Sequence, residues 1–92
     1  PAHAAAGEDV SGLAQYNIDR VLETGEKILD ICREPLCFER ILQQVFTDYE
    51  LKMNFEQYVL IGSTVRSYLS WLKDEGRVSA AFEDNMLLWE RI

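Results

Sequence analysis

Gly76 divides a stretch with helical spacing from one with hairpin spacing, and this junction constrains the fold more than anything else in the chain. Before it, Tyr58, Ile61, Val65, Tyr68 and Leu72 recur three and four positions apart, along one helical face. Asn54 is placed to cap this helix, and Gln57 follows three positions on, as in a capping box. Gly76 sits just past the end, where a left-handed residue closes a helix and glycine adopts that conformation most cheaply. After it, residues 77–83 predict a strand, Asp84-Asn85 a turn, and residues 86–92 a second strand.

The rest of the chain supplies two more helices. The first is expected from about Ser11 to Arg33, capped by Asp9 or Ser11. Leu13, Tyr16, Val21, Ile28, Leu29 and Cys32 form its inward stripe, and Asp19, Glu23, Glu26, Lys27 and Asp30 face water. Gly25 inside it costs about 1 kcal/mol relative to alanine, which marks a close helix contact or a bend. Pro35 ends the helix by disfavouring the helical conformation at Glu34. Leu36-Cys37 is either a very short strand or the lead into the second helix. That helix runs from Phe38 to about Thr47, with Ile41, Leu42, Val45 and Phe46 inward and Glu39 at its positive end. Residues 48–53 turn into the third helix, Phe55 to Glu75. The expected architecture is mainly α with a small β-hairpin: a winged helix of three helices and a two-stranded wing.

Residues 1–10 show no periodicity and are expected to form no element of their own, so the domain is taken as residues 11–92. Ninety-two residues make one domain, and 48% hydrophobic content sustains a packed core. The net charge of −7 argues against general affinity for nucleic acid or anionic membranes, since neutralising phosphates takes Lys and Arg. No apolar run is long enough to span a bilayer, and no signal-peptide pattern precedes the domain. Cytoplasmic residence is therefore expected. Cys32 and Cys37 are expected to be reduced packing residues, because His3 is the only histidine and a zinc site needs about four ligands.

A winged helix hosts DNA binders and many modules that never touch DNA, so the surface has to decide. The outer face of the third helix would carry Glu56, Ser63, Arg66, Ser67, Ser70, Lys73 and Asp74. Its acids cancel its bases, and no Asn or Gln sits at its middle to read adenine. Glu83-Asp84 at the wing turn would push negative charge at a phosphate backbone. Arg66 and Lys73 therefore read as a solvated face, and no nucleic acid is expected. Catalysis is not expected from this chain alone either: Ser63, Thr64 and Ser67 are helix residues without a partner base.

Pro1-Ala2-His3, then an acidic stretch, a long helix and a winged helix together resemble the C-terminal end of metallo-β-lactamase-fold hydrolases. In that superfamily a late strand ends in a Pro-Gly-His or Pro-Ala-His turn, and many members add a small winged helix. The resemblance aligns residues 8–13 with the exit from the hydrolase domain, and Tyr16 to Leu29 with the linker helix. It aligns Thr64 to Val78 with the third helix and the start of the wing. It implies that residues 1–10 are a stub of an upstream catalytic domain. It also implies that His3 is a metal ligand, to zinc or a related divalent ion, only in the intact parent enzyme. The His-x-His-x-Asp-His motif of that superfamily is absent here, so the chain itself is expected to hold no cofactor.

Two functions follow as expectations. The first is a non-catalytic accessory module of a metal-dependent hydrolase, which docks on the catalytic domain, shapes the substrate entrance or joins subunits. The second is a free-standing winged-helix transcription regulator or protein-interaction adaptor. Trp71 falls beside the main stripe of the third helix, as the rim of the core or as an interface anchor. Leu87 and Trp89 alternate along the second wing strand, so one face of the hairpin is apolar and self-association into a homo-oligomer is expected.

Overall fold

The computed structural model describes the backbone of residues 2–92 and the side chains of Gln15 and residues 17–92. In chain order the elements are α1 (Ala2–Ile31), β1 (Leu36–Cys37), α2 (Phe38–Asp48), α3 (Phe55–Asp74), β2 (Val78–Glu83) and β3 (Met86–Arg91). Three helices and a two-stranded wing form a winged helix, as the periodicity predicts. β1 adds a short third strand, and the antiparallel sheet has the order β1-β3-β2.

The largest departure from the sequence reading lies at the start. Residues 2–10, expected to form no element, continue α1 back to Ala2. Their periodicity is weak because the segment is built from alanine, which has no apolar bulk to make a stripe but the highest helix propensity of any residue. His3 therefore lies in the first turn of a helix and not in a strand-end turn. Its side chain, like those of Leu13 and Tyr16, lies outside the described residues. At 1.5 Å per residue the 30 residues of α1 span about 45 Å. This length makes the molecule elongated, with extents of 59 × 31 × 18 Å.

The three helices meet around Ile28, Leu29, Cys32, Ile41, Leu42, Val45, Phe46, Val65, Leu69, Leu72 and Val78. All four residues assigned inward on α2 are buried. On α3 the seam is shifted by part of a turn. Gly62, Val65, Leu69 and Leu72 are the buried positions, whereas Tyr58, Ile61 and Tyr68 are half-buried along its flank. Tyrosines count as apolar in a periodicity but keep a hydroxyl at the water, and Tyr58 uses its own to donate to a Glu39 carboxylate oxygen on α2. Val21, expected inward on α1, is 44% exposed.

Local chemistry sets the helix ends. The Gln57 amide donates to Asn54 Oδ1 at 2.8 Å, satisfying one of the free donors at the start of α3. At its other end Arg77 N–H donates to the Leu72 carbonyl at 2.9 Å and Gly76 N–H to Lys73 at 3.0 Å, with Gly76 at φ +73°. α2 closes the same way, through Leu51 N–H to Phe46 and Glu50 N–H to Thr47, but the left-handed position is filled by Glu50 at φ +53°. The wing turns through Asp84 (φ +53°) and Asn85 (φ +62°), both left-handed, as a two-residue hairpin with the native strand twist requires.

The wing is bolted to α1 across long sequence separations. Arg77 Nη2 donates to Glu26 Oε2 at 2.6 Å, and Arg91 Nη1 to Asp30 Oδ1 at 3.2 Å. The backbone amide of Arg91 donates to the Cys32 carbonyl at 2.7 Å. Leu36 pairs with Trp89 and Cys37 with Leu88, so β3 is flanked on both sides.

Candidate functional site

Three surfaces among the described residues bear on what the chain can bind. The first lies between α1 and α3. Gly25 is buried, and a Cβ built there would come within 3.1 Å of Trp71 Cζ3, so the absent side chain lets the indole lie against α1. Trp71 in turn meets Tyr68 edge to face, with ring centroids 6.2 Å apart. Val21, Ser67, Tyr68 and Trp71 line an open groove of about 300 Å³. Just N-terminal to it, residues 17–23 of α1 are all exposed. Among them Ile18 (52%), Val21 (44%) and Leu22 (49%) step along one side at helical spacing. The groove and this stripe form one apolar surface that nothing covers among the described residues. The indole sits at the edge of the core, as the sequence reading placed it. That reading missed Ile18 and Leu22, although their spacing to Gly25 was a usable signal.

The second surface is a polar cleft of about 540 Å³ between the end of α1 and α2, lined among others by Lys27, Asp30, Arg33, Arg40, Gln43 and Asp48. Its charges are largely engaged with one another. Lys27 Nζ lies 3.6 Å from Asp48, Asp30 accepts from Arg91, and Arg40 donates to Gln43 Oε1 at 3.2 Å. Such exposed pairs contribute about 0–1 kcal/mol each, and they leave the cleft a solvated surface with mixed charge.

The third is the outer face of α3, the surface a DNA reader would use. Glu56, Ser63, Arg66, Ser67, Ser70, Lys73 and Asp74 are exposed there. The exposed Arg66 guanidinium lies 3.7 Å over the Phe38 ring, so part of its charge is engaged by the aromatic face. Glu83 and Asp84 occupy the exposed wing tip.

The nucleophiles and metal-ligand types have other occupations. Thr64 Oγ1 donates to the Leu60 carbonyl and Ser67 Oγ to the Ser63 carbonyl, both back onto their own helix. Cys32 and Cys37 are free thiols. Burial pushes the Cys32 thiol from 9.0 up to about 11, which keeps it protonated and unreactive. Tyr58 is also raised, first by its hydrogen bond to Glu39. Among the described residues no group of three His, Cys, Asp or Glu side chains is placed to hold a metal ion. No described helix is long and apolar enough to cross a membrane. Comparison with family models, with curated proteins and with solved structures finds no match.

Proposed function

We propose that the chain is the winged-helix accessory module of a metal-dependent hydrolase of the metallo-β-lactamase fold, docking on the catalytic body through the α1–α3 surface. The observation that carries this reading is the uncovered apolar run of Ile18, Val21 and Leu22, continuous with the Tyr68–Trp71 groove. Apolar surface of this extent beside a packed core is a docking site in want of its partner. The stripe lies on the same helix as Ala2 and His3; because those two residues are helical, the resemblance rests on the order of the long helix and the winged helix and not on a strand-end turn. The acidic wing tip and the Arg66–Phe38 contact weigh against the alternative of a DNA-binding regulator.

His3 offers one donor, and no cluster of ligand-type side chains exists among the described residues, so this chain does not by itself fit a zinc ion. Its part in such an enzyme is mechanical: it presents a fixed surface beside the catalytic body. The test is the reading frame upstream of Pro1. A catalytic body carrying His-x-His-x-Asp-His is the expected result, and a start codon within a few residues of Pro1 overturns the reading. In the longer product, Leu22→Asp should loosen the module and raise protease sensitivity between the domains. The same change in the present chain should leave thermal stability where it was.

A further inference from the structure

The wing has one long edge that pairs with nothing among the described residues, and its chemistry fits a second copy of the same edge. The sheet order leaves β2 outermost. Which of its backbone groups face outward follows from the register. Glu83 and Met86 flank the two-residue turn, so they form a hydrogen-bonded pair, and such pairs recur at every second residue, at Ala81–Leu88 and Ser79–Glu90. The Ile92 amide donates to the Arg77 carbonyl at 3.1 Å, which fixes the same phase at the far end. The N–H and C=O groups of Val78, Ala80 and Phe82 therefore point away from β3 along the free edge. Natural edges are commonly blunted by lysine, proline or a bulge. Between Val78 and Phe82 this one carries only Ser79, Ala80 and Ala81, and the 79%-exposed Phe82 closes the run.

We propose that two copies of the chain join β2 to β2, antiparallel, about a two-fold axis through Ala80. This interface is separate from the α1–α3 surface and stands without the hydrolase reading. The register is fixed by the outward groups. Ala80 pairs with Ala80 of the second copy, and Val78 pairs with Phe82 of the second copy at both ends, each pair exchanging two backbone hydrogen bonds. The small Ala80 side chain leaves room at the axis. The intervening positions set Arg77 opposite Glu83 of the second copy, again twice by symmetry, so unlike charges face each other at both ends of the seam. Among the described residues Glu83 forms no ion pair within its own copy, and Arg77, already 2.6 Å from Glu26 Oε2, is then shared between two carboxylates. Any register shifted by two residues sets fewer outward groups against one another and separates Arg77 from Glu83.

Sedimentation equilibrium between micromolar and millimolar concentration reads the association, with a reversible dimer expected. Ala80→Pro removes an outward N–H that the single copy does not use, so its circular-dichroism melt should be unchanged while the dimer is lost. Glu83→Lys should weaken the dimer tenfold or more. A second measurement covers the case in which the proline variant unfolds. In a Cys37→Ser background, Ala80→Cys should cross-link to a dimer under diamide, since paired Cα atoms about 5.5 Å apart are within disulfide reach. Ala81→Cys should not, because its opposite residue is Ser79. A chain that stays monomeric throughout, a dimer undiminished by a folded Ala80→Pro, or equal cross-linking at both cysteine positions each overturns the proposal.

Discussion

Two neighbouring stretches of α1, residues 17–23 and 25–31, make opposite use of the same residue types. In residues 25–31 Ile28 and Leu29 are 1% and 2% exposed, sealed against α2 and α3. About three and two turns earlier Ile18 and Leu22 keep about half their surface in water. Apolar residues recur at helical spacing in both stretches. What differs is how closely another element lies opposite: α2 and α3 seal residues 28–32, whereas beside Val21 α3 leaves only an open groove. An apolar stripe in a sequence therefore reports a face that wants covering, and the fold decides whether the cover is intramolecular.

That contrast is broken or sharpened by measurement at four points. Leu29→Ala should cost about 2–5 kcal/mol in urea unfolding, the range for buried leucines, and an effect below 1 kcal/mol would mean that residues 25–31 are no better sealed than residues 17–23. Raising pH tests the same burial at Cys32. The folded thiol ionises near 11 and the unfolded one near 9.0, so the stability it contributes is complete below pH 9 and lost as pH rises toward 11. At about 1.4 kcal/mol per unit the loss is about 2–3 kcal/mol. Cys32→Ala should flatten that slope in unfolding followed between pH 8 and 11. At the junction of the two stretches, Gly25→Val should destabilise by about 1–3 kcal/mol through overpacking against Trp71. The penalty should shrink in a Trp71→Ala background, in a double-mutant cycle by urea unfolding. Smallest of all, Leu22→Ala should shift the midpoint by less than about 0.5 kcal/mol.

The same contrast explains what could be read ahead of the structure. α2 was legible to the residue because its inward positions are all aliphatic or phenylalanine and its outward ones all polar. The wing was legible because Asp84-Asn85 is turn chemistry with few alternatives. On α3 the tyrosines blurred the phase, so Leu69, fully buried, went unassigned while Tyr68 was taken for core. A Tyr68→Ala change is accordingly expected to cost less than Leu69→Ala. The start of α1 was illegible because alanine carries propensity without pattern. The groove could not be read from either helix alone. It exists because a missing side chain on α1 meets an indole 46 positions away on α3. The glycine was noticed and so was the tryptophan, but only tertiary geometry joins them.

The bond from the Arg91 amide to the Cys32 carbonyl, with the flanking Asp30–Arg91 ion pair, ties the far end of the wing to the exit of the first helix. During synthesis the helices are complete long before residue 91 has been added, yet this latch must wait for it. A ribosome stalled a few codons short would hold a nascent chain whose hairpin is unfastened, its sticky inner surface available to chaperones until the closing residues emerge.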